Sequence, residues 1–188
     1  FTEDGALIGI DDMPLIEVAR AFGAAPVLLL SSITESGNFN SARASRLFND
    51  AALQATVLDN VLATMREKGY AGLDIDFEYI DPADREAFVA FVAAAEKLSP
   101  YGYFVNTDLA PKTSAAQSGL LYEAHDYAAL GAASDTLFLM TYEWGYTYGP
   151  PLAVAPINQV RRVVDYAVSE ISPKKLLLGI PNYGYDWQ

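Results

Sequence analysis

Short apolar runs alternate with helical stretches along this whole chain, which makes it an α/β protein built on a parallel sheet. Three observations carry that reading. Apolar strands are separated by segments with helical spacing, turn residues mark the junctions, and one strand alternates polar and apolar residues without a break. Strands joined by helical crossovers close in two ways, as an open doubly wound sheet or as a (β/α)₈ barrel. No glycine-rich phosphate loop follows the first strand, which counts against a nucleotide-binding version.

In order, Ala6–Ile10 is a short apolar stretch and Pro14–Phe22 a helix stopped by Gly23. Pro26–Ser31 holds the run Val27-Leu28-Leu29-Leu30, which suits a strand covered on both faces. Ser41 to Lys68 reads as one long helical stretch, broken near Asn49-Asp50 and ended by Gly69. The alternating strand comes next, at Gly72–Glu78. Asp81 is placed to cap a helix with Pro82 at its first position, and Pro100 closes that helix. Tyr103–Leu109 alternates as a strand, Leu120–Leu130 reads as a helix and Asp135–Tyr142 as a strand. Val154–Ile171 is a helix and Leu176–Ile180 a final strand. The total is six strands.

The strand Ala71-Gly72-Leu73-Asp74-Ile75-Asp76-Phe77-Glu78-Tyr79 is the informative one. A period of two sends Asp74, Asp76 and Glu78 to one face and the apolar residues to the other. Neighbouring carboxylates repel, and burying them unpaired is costly, so such a row is kept mostly where chemistry uses it. Glu78 is nearest the loop, at the carboxyl end of a parallel strand, where ligands of these folds sit. A like-charged neighbour raises the proton affinity of one member of a pair, as a general acid requires. Acids on one strand face cannot straddle a sugar ring, so a glycosidase built on them takes its nucleophile from elsewhere, such as a substrate acetamido group. Clustered oxygens also suit Mg²⁺ or Ca²⁺.

The bulk numbers narrow the classes. The chain has 188 residues, 52% hydrophobic and 19% charged, enough for one domain with a substantial core. A net charge of −12 disfavours nucleic acid as a partner. With no cysteine and one histidine, thiolate chemistry and multi-histidine metal centres are excluded. No apolar run approaches the ~20 residues needed to span a bilayer, so no membrane insertion is expected.

Gly72-Leu73-Asp74-Ile75-Asp76-Phe77-Glu78 resembles the strand-four signature of glycoside hydrolase family 18, D-G-x-D-x-D-x-E. Met140-Thr141-Tyr142-Glu143 resembles that family's strand-six motif. Leu109-Ala110-Pro111-Lys112-Thr113, the run Met140–Tyr146 and the run Gly179–Trp187 look like the spore-germination and cortex-lytic branch, N-acetylglucosaminidases of cell-wall glycan. The similarity covers essentially the whole chain. It implies an incomplete (β/α)₈ barrel covering roughly strands two to seven, a single catalytic domain over residues 1–188, truncated at both ends relative to the family. In that family Glu78 would be the acid, Asp76 would orient the acetamido group, Asp74 would support Asp76 through a shared proton, and the Tyr142 hydroxyl would hold the acetamido oxygen. Met140 would line the sugar subsite. Glu143 stands where many relatives carry aspartate.

The resemblance implies a polysaccharide substrate with N-acetyl groups, no cofactor, and a location outside the cytoplasm in cell envelope or spore. Trp144, Tyr146 and Tyr148, and then Tyr183, Tyr185 and Trp187, supply aromatic faces suited to sugars or to packing their loops. Asn106 and Asp108 alternate on their strand and are candidates for the barrel mouth, whereas His125 is expected to take no catalytic part. Departures are Ala71 at the position of the family's first aspartate, and Ser31–Gly37 in place of a serine-glycine-glycine pattern. Strands two and seven would expose unpaired edges, so the chain is expected to be an edge-paired or swapped oligomer, or inactive as a monomer.

Overall fold

The computed structural model describes residues 1–187. Among them five strands lie side by side in chain order: β1 (Val27–Ser31), β2 (Gly72–Asp76), β3 (Phe104–Leu109), β4 (Thr136–Leu139) and β5 (Leu176–Leu178). Every pairing is parallel. The helices are α1 (Met13–Ala21), α2 (Ser41–Asn49), α3 (Ala51–Lys68), α4 (Arg85–Ala94), α5 (Tyr127–Ala133) and α6 (Ile157–Glu170). None of them is long and apolar enough to cross a membrane.

The long helical stretch divides at Asp50. Its extended backbone ends α2, while its carboxylate accepts from the N–H groups of Ala52 and Leu53, both at 3.0 Å, and so caps α3. Gly69, at φ 73°, closes α3 in the left-handed region that glycine enters freely.

Leu73, Ile75 and Phe77 are buried against the helix layer. Phe77 sits among Phe48, Phe88 and Phe91, with ring centroids at 5.2, 6.3 and 6.0 Å. The other sheet face carries Leu29 opposite Asp74, Asp74 opposite Asn106, and Asn106 opposite Thr136. Towards the sheet margins that face is open: Leu29 is 51% and Leu177 is 49% exposed.

Several boundaries differ from the sequence reading. Ala6–Ile10 is not a strand, so the sheet has five strands rather than six. The segment is held by a turn and by α3: Ala6 O accepts from the Thr2 N–H at 2.8 Å, and the Asn60 amide donates to Gly5 O at 2.9 Å. A cleft separates it from β1, with Leu7 and Ile8 on one wall and Leu28 and Leu30 on the other. Leu120–Leu130 is helical only from Tyr127, because Asp126 accepts from the Ala129 N–H at 3.1 Å and starts α5 there. The helix placed after Asp81 opens as a 3₁₀ turn at Pro82–Asp84, and Pro100 lies inside a second 3₁₀ segment, Ala95–Tyr101.

Candidate active site

The acid row leaves the sheet at the carboxyl end of β2. Asp76 is the last paired residue, and Glu78 stands just beyond it at the rim. The chain then turns through Tyr79 at φ 54°, an uncommon conformation for a residue with a side chain. Ser41, the first residue of α2, holds this turn by donating its hydroxyl to Tyr79 O at 2.6 Å, and the Phe39 ring lies 6.2 Å from that of Tyr79. Burial, assisted by the charge of Asp76, pushes the Glu78 carboxyl up to about 7. Burial and the charge of Asp74 push Asp76 up to about 6. Asp76 Oδ1 is buried without a hydrogen-bond partner, an acceptor left unused inside the protein.

Beneath the rim, β3 faces the row with Asn106 and Asp108. The Asn106 amide donates to Asp74 Oδ1 at 2.6 Å and to Asp108 Oδ1 at 3.2 Å, and accepts the Thr136 hydroxyl at 2.8 Å. Asn106 is thus a partner of the acids below the cleft rather than part of its wall. No three of the described His, Asp and Glu residues are arranged to hold a metal ion.

The next loop along, after β4, completes the rim. Met140, Tyr142, Glu143, Trp144 and Tyr146 line a cleft of about 470 Å³ together with Glu78, Tyr79, Pro111 and Tyr122. Burial first, then the charges of Asp108, Asp76 and Glu78, push the Tyr142 phenol up to about 12, so it stays a neutral hydroxyl donor near these acids. Gly179 allows the Tyr142 ring to lie where it does, since a Cβ there would come within 2.7 Å of Tyr142 Cε1. Glu143, at φ 67°, turns its carboxylate towards the segment after β5. Tyr183 donates to its Oε1 at 2.5 Å, and Tyr185 reaches both oxygens at 2.9 and 3.0 Å. Tyr183 therefore fastens Glu143 instead of lining this cleft. Trp144 has a double position, on the cleft wall and against the buried core.

His125 has a structural place that the sequence did not reveal. It is fully buried, edge-on to Phe88 at 5.8 Å. Its Nδ1 accepts from the Ala110 N–H at 3.3 Å, while its Nε2 is buried without a hydrogen-bond partner. The imidazole is thereby tied to the exit of β3. Burial and the nearby Lys112 charge hold it down to about 4, so it is neutral. Lys112 Nζ donates to His125 O at 2.9 Å, and the Tyr127 hydroxyl donates to Ala110 O at 2.6 Å. A lone histidine inside a turn gives no pattern that would reveal this.

Five parallel strands with an acid row at their carboxyl ends, beneath an aromatic-walled cleft, define the site arrangement of an α/β barrel. The chain belongs to the glycosyl hydrolases family 18, whose model matches residues 28–188. It is 38% identical over 174 residues to the cortical fragment-lytic enzyme of Bacillus anthracis, covering 93% of this chain and 40% of the relative. The cortical fragment-lytic enzyme of Bacillus subtilis (strain 168) is 42% identical over 179 residues, covering 87% of this chain and 42% of the relative. The crystal structure of the Bacillus cereus spore cortex-lytic enzyme SleL superposes with a TM-score of 0.91 at 36% identity, covering 95% of this chain and 41% of that one. A chitinase from Chromobacterium violaceum ATCC 12472 also gives 0.91, at 26% identity, over 100% of this chain and 60% of that one. The chain spans about two fifths of the length of those curated relatives.

Proposed function

We propose that this chain carries the acid-bearing part of a retaining glycosidase site that cleaves β-1,4 bonds following N-acetylglucosamine, in cell-wall or spore-cortex peptidoglycan. One observation carries the reading. Glu78 is poised to hold a proton near neutrality at the cleft, while directly beneath it Asp76 keeps an unused buried acceptor.

Glu78 donates its proton to the glycosidic oxygen as the bond to the anomeric carbon breaks. The acetamido oxygen of the same sugar forms the new bond to that carbon, giving an oxazolinium ion. Asp76 accepts the acetamido N–H and offsets the positive charge, Asp74 supports Asp76 from below, and the Tyr142 hydroxyl steadies the acetamido oxygen. Water then opens the oxazolinium, losing its proton to Glu78, and configuration is retained. Met140 lies under the sugar, with Trp144 on the wall beside it. Glu143 shapes the rim through its two tyrosines. The other carboxylate on the cleft wall is Glu143, and tyrosine hydroxyls already engage both its oxygens, which supports an attacking atom supplied by the substrate. The site of action is outside the cytoplasm, at the cell envelope or spore.

The test compares the full-length protein with its Glu78→Gln variant on cortex peptidoglycan and on chitin oligomers. Turnover of the variant is expected to fall by roughly 10²–10⁴-fold with glycan affinity retained. A thiazoline mimic of the oxazolinium inhibits the wild type, and chelators leave it unaffected. Undiminished turnover in Glu78→Gln defeats the proposal, and cleavage of chitin oligomers alone moves the substrate to chitin. The 188-residue chain by itself is expected to pair through its open β1 and β5 edges. A fully active monomer in light scattering would rule that pairing out.

A further inference from the structure

We propose that Lys112 is a positioning residue for glycan binding: its buried amine holds the His125 carbonyl and so fixes Pro111 and Tyr122 as one preformed wall of the cleft. That the ligand is a glycan rests on the glycosidase reading given above.

The wall comes from the connection between β3 and α5, residues 110–126, which holds neither helix nor strand. Connections longer than ~12–15 residues without structure of their own are usually functional ones. Residues 114–116 and 118–120 are exposed, and no ladder of backbone hydrogen bonds keeps this segment in shape. Even so, Pro111 near its start and Leu121 and Tyr122 near its end line the cleft beside Glu78 and Tyr79.

Hydrogen bonds on both sides of Pro111 join those two ends. Before it, the Ala110 N–H donates to His125 Nδ1 at 3.3 Å, and Ala110 O accepts the Tyr127 hydroxyl at 2.6 Å. After it, the Lys112 N–H donates to the Tyr127 hydroxyl at 3.0 Å, and Lys112 Nζ donates to His125 O at 2.9 Å. His125 in turn donates its backbone N–H to Tyr122 O at 3.1 Å, which carries the tie to the second wall residue.

The lysine is a costly choice for this place. It is fully buried, and among the described residues its amine has one hydrogen-bond partner and no ion pair. An amine taken out of water to meet a single carbonyl costs the fold, whereas a methionine would fill similar space without that cost. Lys112 does not itself line the cleft, so its return lies in what it holds. The neighbouring walls have fastenings of their own, Ser41 on Tyr79 and the two tyrosines on Glu143. Lys112 and His125 supply the one for Pro111 and Tyr122.

The experiment uses the full-length protein as wild type, Lys112→Met, Tyr122→Ala and the double variant. Steady-state kinetics are read on 4-methylumbelliferyl chitobioside, and chitotetraose affinity by calorimetry in a Glu78→Gln background. In Lys112→Met the wall must be ordered at the moment of binding, so KM is expected to rise about five- to tenfold, with chitotetraose affinity falling by a similar factor. The kcat value stays within about twofold of wild type, the pattern of lost uniform binding. Tyr122→Ala raises KM as well, and the double variant costs less than the product of the two, because Lys112 acts through the wall. An unmoved KM in Lys112→Met or in Tyr122→Ala, a fall in kcat alone, or effects that simply multiply overturns the inference. Hydrogen exchange in the wild type gives a second reading: the Ala110 and Lys112 amides should exchange as slowly as those of β3, and residues 114–116 fast. Fast exchange at Ala110 and Lys112 defeats the proposal even where Lys112→Met fails to fold. If the wild type cleaves no glycan but chitotetraose affinity still falls in Lys112→Met, the glycosidase reading fails and the positioning role stands.

Discussion

The two faces of β2 obey opposite rules. On the helix side Leu73, Ile75 and Phe77 are buried among apolar neighbours, an arrangement that any buried strand of a parallel sheet adopts. On the other side Asp74, Asp76 and Glu78 crowd like charges into half-buried positions, and Asp76 even keeps an unpaired oxygen. One face lowers the free energy of the fold and the other raises it. Stability and the proposed chemistry are therefore separable within a single strand, residue by residue.

Cutting into the apolar face should produce the largest effect. Phe77 makes aromatic contacts with Phe48, Phe88 and Phe91 and is fully buried. Phe77→Ala is expected to lower unfolding stability by about 3–5 kcal/mol, the usual range for a large core side chain. Urea unfolding followed by far-UV circular dichroism would read it. A loss below about 1 kcal/mol would mean that the contrast between the faces is not energetic.

Neutralising the acid face should act in the opposite sense, and only at higher pH. Asp76 and Glu78 hold protons more tightly in the folded state than their ordinary values of 3.8 and 4.5, reaching about 6 and about 7. A folded state with raised proton affinity is favoured at low pH and loses that advantage as pH climbs through the folded value. The loss runs from roughly pH 4 to 6 for Asp76 and from roughly 4.5 to 7 for Glu78. It amounts to on the order of 1–2 kcal/mol each, after a discount for the water both groups still meet. Asp76→Asn should therefore match wild type near pH 4 and exceed it near pH 7.5. Equal offsets at both pH values would contradict the assignment of strain to this face.

The same contrast explains what could be read in advance. Leu73, Ile75 and Phe77 announce a strand by periodicity, and Asp74, Asp76 and Glu78 announce a site because their cost has no structural return. Both signals are local. Ala6–Ile10 misled because a short apolar run does not reveal whether a neighbour exists for it to pair with. Asn106 and Asp108 alternate on their strand, yet the bond from the Asn106 amide to Asp74 depends on the register between β2 and β3, which no single segment encodes. His125 was hidden for the same reason, since its partners Phe88 and Ala110 lie 37 and 15 positions away along the chain. The loops also read differently. Glu143 fitted a motif, but its engagement by Tyr183 and Tyr185 comes from a chain turn at φ 67° that the motif does not specify.

The smallest expected effect lies where the two faces meet, at the turn through Tyr79. That residue holds a left-handed backbone, which costs about 1–3 kcal/mol and persists only where its surroundings enforce it. Ser41 is the enforcing contact, through its hydroxyl to the Tyr79 carbonyl. Ser41→Ala leaves that carbonyl to water, at a net loss of about 1 kcal/mol. Because the turn directly follows Glu78, part of the loss should appear as a misplaced acid: a few-fold lower kcat, by the rule that 1.36 kcal/mol is tenfold, with KM little changed. Ser41→Thr keeps the hydroxyl and should recover the rate. If Ser41→Ala lowers stability but leaves kcat at the wild-type value, the turn belongs to the structural face of the strand alone, and the position of Glu78 does not depend on it.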